Sequence, residues 1–191
     1  MCGIAGFIDF NKKTSRETLV SMTDALIHRG PDDSGYEFFS ENNSQIGFGF
    51  RRLSIIDLSA LGHQPMFSED KNLCIIFNGE IYNYKEIRED LKKSGMQFRS
   101  TSDTEVILQS YKKWGKDCVE HFIGMFAIAI YDKQEQKIIL FRDRAGVKPL
   151  FYHWKNGLFL FASELKSFLG APTKASAAII PGIANSISSI T

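Results

Sequence analysis

The second residue of the chain is a cysteine, and removal of Met1 would put a thiol and a free α-amino group on that one residue. Nucleophile and base would then belong to the same amino acid. An α-amino group titrates at about 7.7–8.0 and a free thiol at about 8.5, so near neutral pH a small environmental shift nearly balances proton exchange between them. No separate catalytic histidine is then required. Cysteine is also small enough for methionine aminopeptidase action to expose it. The other two cysteines, Cys74 and Cys118, sit beside apolar residues and read as buried fillers. Three cysteines without C-x-x-C spacing fit neither a disulfide framework nor a zinc site. His28, His63, His121 and His153 have no carboxylate or cysteine at metal-ligand spacing, so a structural role is expected for each.

A reactive terminus needs a folded body to hold it, and the composition supplies one. Of 191 residues, 43% are apolar and 13% aromatic, and 23 Lys and Arg stand against 22 Asp and Glu for a net charge of +1. These values exclude disorder and predict one large domain, with or without an appendage. Like charges never cluster in a block, so neither a nucleic-acid backbone nor an anionic membrane surface is the expected partner. The longest apolar stretch, Met125–Tyr131, is far short of the roughly 20 residues that cross a bilayer. Ile4–Ile8 is followed at once by Asp9, Lys12 and Lys13, too soon for a secretory leader, and a cytoplasmic location is expected.

Strand and helix signals alternate through residues 1–170. Three helices have recognisable ends. Ser15 opens one with Leu19, Met22 and Leu26 on one face, stopped by Gly30-Pro31. Asn83 with Glu86 resembles a capping box for a helix carried by Ile87 and Leu91, with Gly95 as its stop. Ser102 with Glu105 starts a third, in which Ile107, Tyr111 and Trp114 recur before Gly115. Strands are expected at Cys2–Phe10, Ile46–Ile56, Leu73–Phe77, Met125–Asp132, Lys137–Arg142, and in a pair around Asn156-Gly157. Short turns between paired strands predict mainly antiparallel sheets with helices outside, an α+β layered arrangement. From Ala171 to Thr191 the texture changes to five Ala, four Ser and five Ile with no aromatic residue, whereas all 16 Phe lie before residue 169. Residues 1–170 are therefore expected to form the domain, and 171–191 an atypical tail.

Seven motifs occur in order: MCGIAGF at the start, HRGPDD (His28–Asp33), RRLSIID (Arg51–Asp57), GHQPM (Gly62–Met66), FNGEIYNY (Phe77–Tyr84), SDTEV (Ser102–Val106) and RDRAGVKPLFY (Arg142–Tyr152). This series closely resembles the N-terminal glutaminase domain of glutamine-hydrolysing asparagine synthetases, a class II glutamine amidotransferase. The resemblance runs over about residues 2–168. It implies a four-layer αββα sandwich of the N-terminal-nucleophile hydrolase type. It also implies that Cys2 attacks the side-chain amide of L-glutamine and that the ammonia released serves asparagine biosynthesis from aspartate.

The resemblance assigns further roles, and local physics bears on each. Asn78 and Gly79 would hold the oxyanion. They follow the apolar strand Leu73–Phe77, so a side-chain amide and an unhindered backbone N–H would sit at a strand end, with a capped helix after them in place of a returning hairpin. Loss of such a donor costs roughly 3–4 kcal/mol of transition-state stabilisation. Arg52 would clamp the substrate carboxylate, because a guanidinium matches a carboxylate with two parallel donors. Strand alternation sets Arg51 with Leu53 and Ile55, and Arg52 with Ser54 on a polar side. Leu53, Ser54, Ile55 and Ile56 would line the glutamine pocket, and Glu80 and Asp103 would accept the substrate ammonium. Asp103 in the first turn of a helix is also favoured by the helix dipole with no ligand present. HRGPDD and RDRAGVKPLFY read as scaffold at the rim of the pocket.

No S-G-G-x-D-S loop, Walker sequence or complete dinucleotide fingerprint occurs in the chain. No cofactor is therefore expected here; ATP and Mg would belong to a synthetase domain or chain that accepts the ammonia. FASELKSFL (Phe161–Leu169) resembles the family's exit toward that domain. A silent glutamine-binding or docking fragment, the glutaminase half of another synthetase-like amidotransferase, and homodimerisation all stay open.

Overall fold

Apolar residues that alternate between two faces need cover on both, and the strand that follows Cys2 is buried along its whole length. The structure, a computed structural model, describes residues 1–53, 62–171 and 178–179. These fall into two compact units, the first from Met1–Ser54 and Pro149–Ile180, the second from Ile55–Lys148. Each is an antiparallel sheet with helices on one face.

In the first unit, β1 (Gly3–Asp9), β2 (Asp33–Ser40), β3 (Gln45–Arg52), β8 (Phe151–Lys155), β9 (Leu158–Ala162) and β10 (Ala178–Ile179) form a sheet in the order β10-β8-β9-β1-β3-β2. β1 lies inside the sheet, paired from Gly3↔Arg51 to Asp9↔Gln45 with β3 and from Ala5↔Ala162 to Asp9↔Leu158 with β9. Ala5, Phe7, Leu160 and Ala162 pack with Leu19, Met22, Leu26 and Phe168, so one face is covered by α1 (Arg16–Asp24) and the turn after β9. Alternation turns Ile4, Ile8, Phe48, Phe50 and Phe161 to the other face, where all are buried. Ser15 caps α1 by accepting from Thr18 N–H. Asn156 and Gly157, at φ 50° and 73°, make the two-residue turn that joins β8 to β9.

β2 was not expected, because HRGPDD reads as a turn and Asp33, Ser34, Glu37 and Ser40 dilute the strand pattern that follows. As the edge strand of the sheet it needs little apolar cover, and it pairs with β3 from Asp33↔Arg52 to Ser40↔Gln45. Ala178–Ile179, within the region expected to be an atypical tail, pairs with β8 at the opposite edge.

The second unit contains β4 (Met66–Phe67), β5 (Leu73–Ile81), β6 (Gly124–Asp132) and β7 (Lys137–Arg142) in that order. α2 (Tyr84–Lys93) and α3 (Asp103–Trp114) cover one face: Ile87, Leu91, Val106, Ile107 and Tyr111 pack with Ile75, Phe77, Ile128 and Ile130. Two expectations change here. β5 does not stop at Phe77 but continues to Ile81, because β6 is long enough to pair with it from Leu73↔Asp132 to Ile81↔Gly124. Asn83 makes no capping bond to α2. Its Nδ2 instead donates to His121 O and its Oδ1 accepts from Ile123 N–H, so it ties the start of α2 to the segment before β6. β3 ends at Arg52, so Leu53, expected within the strand, lies beyond it, and residues 54–56 of the expected continuation lie outside the described residues.

Candidate functional site

In the first unit, the register that ends at Gly3↔Arg51 sets Cys2 beside Arg52. The Cys2 Sγ lies 3.4 Å from Leu53 N and 3.6 Å from Leu53 O, so the thiol rests against the backbone that follows Arg52. Arg29 Nε donates to the Cys2 carbonyl at 2.9 Å. Cys2, Arg52 and Leu53 are thus brought together. Ser54, Ile55 and Ile56 lie outside the described residues.

The two arginines of RRLSIID point to opposite faces, as alternation predicts. The division is not between an apolar and a polar side, however, since Arg52 shares its face with Phe48 and Phe50. Arg51 is distinguished by its partner: its Nη2 pairs with Asp24 at the end of α1, and Tyr36 O–H donates to the same carboxylate. Arg51 therefore fastens the helix to the sheet. Arg52, on the other face, is 8% exposed.

In the second unit, Phe77 and Ile81 face the helices, so Asn78 and Glu80 point to the other face of the sheet. Asn78 is 1% exposed, and its Nδ2 has no acceptor among the described residues. A buried N–H without a partner costs about 1–3 kcal/mol. Backbone N–H groups alternate between the two edges of a strand. Phe77 N–H is taken by Gln64 Oε1 at 2.6 Å and Ile81 N–H by Asp103 Oδ2 at 3.2 Å, so the Gly79 N–H lies on that same edge, between them. The corner thus offers two N–H donors of different origin from adjacent residues.

Asp103, at the first position of α3, is 5% exposed. Burial and, more weakly, the negative charge of Glu80 push its carboxyl from 3.8 up to about 6, against the backbone N–H bonds from Ile81 and Thr104 that favour the charged form. Two carboxyl groups close together, one hard to ionise alone, are suited to a cation. Asn78, Gly79, Glu80 and Asp103 are therefore brought together in this unit.

Three contributors were not foreseen. Gln64, besides its bond to Phe77, donates through Nε2 to Thr104 Oγ1 at 3.2 Å, and so fixes the residues next to both Asn78 and Asp103. Arg29 and Glu164 hold each other at 2.9 Å beside the Cys2 carbonyl. All three lie in quoted motifs, GHQPM, HRGPDD and FASELKSFL, but only contacts distant in sequence reveal what they do. Two open depressions of about 410 and 450 Å³ in the second unit, both bordered by Lys112, contain none of the predicted residues. Among the described residues, no group of three His, Cys, Asp or Glu side chains could hold a metal ion, and no helix is long and apolar enough to cross a membrane.

Helix-faced antiparallel sheets make this an α+β fold, one shared with the N-terminal-nucleophile amidotransferases. The glutamine phosphoribosylpyrophosphate amidotransferase of B. subtilis superposes with a TM-score of 0.76 at 18% identity, over 95% of this chain and 46% of that one. The chain belongs to the glutamine amidotransferase domain family, whose model matches residues 1–185. It is 45% identical over 183 residues to a putative glutamine-hydrolysing asparagine synthetase 2 of Methanocaldococcus jannaschii, covering 88% of this chain and 35% of that protein. It is likewise 45% identical over 176 residues to glutamine-hydrolysing asparagine synthetase 3 of Bacillus subtilis, covering 90% of this chain and 28% of that one. The chain thus spans about a third of the length of these relatives.

Proposed function

We propose that this chain hydrolyses L-glutamine to L-glutamate and ammonia, with Cys2 as nucleophile after Met1 is removed. Arg52 takes the substrate α-carboxylate through its paired N–H donors, beside the backbone of residues 53–56. Asp103 and Glu80 take the α-ammonium, which selects an amino acid over a plain amide. The Cys2 thiol passes its proton to its own α-amino group as sulfur adds to the amide carbon. The oxygen that becomes negative accepts from Asn78 Nδ2 and Gly79 N–H. Collapse breaks the C–N bond, and the proton held by the terminal amine leaves with the nitrogen as ammonia, so that a glutamyl thioester remains. Water then gives a proton to the amine and its oxygen to the acyl carbon, and glutamate leaves as the thiol is restored. No cofactor enters these steps.

In the cytoplasm, the ammonia would serve a synthetase domain that uses ATP and Mg to activate aspartate. We assign the catalytic domain to residues 1–170 and a linker toward that synthetase to 171–191. The observation that carries this reading is the placement of Cys2, second in the chain, with its sulfur against Leu53 and beside Arg52. The orphan amide of Asn78 supports it. The test is the mass of the mature N-terminus, followed by ammonia release from glutamine by wild type and Cys2→Ala. Met1 is expected to be absent and the variant to fall to background; equal rates overturn the proposal.

A further inference from the structure

HRGPDD and FASELKSFL supply no group to the reaction above, yet their side chains meet directly behind the nucleophile. Arg29 reaches the Cys2 carbonyl with Nε at 2.9 Å and Glu164 Oε1 with Nη1 at 2.9 Å. The same carboxylate oxygen lies 3.0 Å from His28 Nε2, and Glu164 Oε2 lies 3.3 Å from Lys166 Nζ. Glu164 is itself set by its neighbour. Ser163 N–H donates to Ile4 O at 2.8 Å and Ser163 Oγ accepts from Ile4 N–H at 3.0 Å, so the chain at the end of β9 is clipped to the start of β1. The path from this clip through Glu164 and Arg29 to the Cys2 carbonyl contains no exposed hinge, since the Arg29 side chain is 11% and the Glu164 side chain 27% exposed.

We propose that Glu164 is a positioning residue for the reaction: through Arg29 it fixes the carbonyl of Cys2, and with it the direction in which sulfur and terminal amine point. The inference rests on the glutaminase reading and extends it to a residue that touches no substrate. Cys2 lies just ahead of β1, which begins at Gly3, and a terminal residue is mobile unless something ties it down. The thiol rests against Leu53, and Arg29 is the tie on the carbonyl; a guanidinium held by a carboxylate at Nη1 has its Nε aimed in one direction. Burial alone would raise the Glu164 carboxyl, but its bonds to Arg29, His28 and Lys166 hold it down to about 2, so the anchor keeps its charge at neutral pH. Partly exposed ion pairs contribute little to stability. The consequence of losing this one should therefore appear in the rate more than in the fold.

The experiment compares Glu164→Ala with wild type in three measurements: kcat and KM for glutamine, thermal midpoint, and the rate at which iodoacetamide alkylates Cys2. Misplacement of a reacting group by about an ångström costs up to about 100-fold. A fall in kcat of about 10- to 100-fold with KM for glutamine within about twofold is therefore expected, together with slower alkylation. Arg29→Lys, which keeps the charge but loses the fork, should give the same pattern, and the double variant should be no slower than the slower single. If Glu164→Ala does not fold, the kcat and KM of Arg29→Lys decide. An unchanged kcat, a loss carried by KM, or single-variant effects that multiply would overturn the proposal. Alkylation needs no turnover, so a wild type that releases no ammonia but whose Cys2 alkylates more slowly in Glu164→Ala sinks the glutaminase reading and leaves the positioning one standing.

Discussion

At the scale of single residues, the candidate site is built from groups that are poorly satisfied without a ligand. The Asn78 amide is buried with no acceptor among the described residues, and Asp103 is a carboxyl whose ionisation is opposed by burial and by Glu80. Its folded value of about 6 is above the ordinary 3.8, so the folded state binds the proton more tightly than the unfolded chain. The stability this contributes is fully present below about pH 4 and is lost as pH rises through about 6. At about 1.4 kcal/mol per pH unit, the protein without substrate gives up about 3 kcal/mol by pH 7. A bound ammonium reverses the sign, because it favours the carboxylate. Glutamine should therefore raise the thermal midpoint more at pH 7.5 than at pH 5, measured on Cys2→Ala so that no substrate is consumed. Asp103→Asn should flatten that dependence and weaken binding by about tenfold or more, the loss of a charge-assisted contact. A midpoint gain that stays constant from pH 5 to 7.5 would remove Asp103 from the ammonium subsite.

At the scale of elements, the loop between α1 and β2 decides where Arg52 sits. A Cβ on Gly30 would lie 2.5 Å from both Arg51 C and Arg52 N, and these are backbone atoms with no side-chain freedom to yield. Asp32 N–H donates to Arg52 O at 3.1 Å, so the loop and the end of β3 move together. Gly30→Ala should cost about 1–3 kcal/mol, as overpacking does. It should also raise KM for glutamine more than it lowers kcat, read from thermal unfolding and steady-state kinetics; an unchanged KM would detach the loop from the carboxylate clamp. The same elements separate what can be read in a sequence from what cannot. Lys137–Arg142, the Asn156-Gly157 hairpin and the Ser15 and Ser102 caps were legible, because each depends on spacing or turn chemistry within a few residues. The extension of β5 to Ile81 depends on the length of β6, and the edge strand β2 on pairing with β3, both remote in the chain. The candidate site was legible through the resemblance of seven ordered motifs, and Cys2, Arg52, Asn78 and Asp103 each also have a chemistry that suits the role. Gln64, Arg29 and Glu164 escaped, because an amide or an ion pair takes its role from its partner, and Gln64 lies 13 positions from Phe77, Arg29 27 from Cys2 and Glu164 135 from Arg29.

At the scale of the whole molecule, the proposed reaction makes ammonia, and no motif in the chain points to a use for it. Its 191 residues include no phosphate-binding loop, and they correspond to 35% and 28% of two relatives named for asparagine synthesis. Ammonia set free into neutral water is taken up mostly as ammonium, which has no lone pair with which to attack an activated acyl group. On the proposed function, an acceptor would receive it before it reaches solvent, and none of the motifs here would bind ATP or hold an acyl adenylate. The chain tested alone should accordingly release glutamate and ammonia one for one, with the same rate whether or not ATP, Mg and aspartate are added. Amino-acid analysis of the reaction mixture should find no asparagine. Asparagine that forms only when ATP is present would mean that these residues contain an activating site the sequence does not reveal. Ammonia falling short of glutamate would mean that an acceptor is already within reach of the thioester.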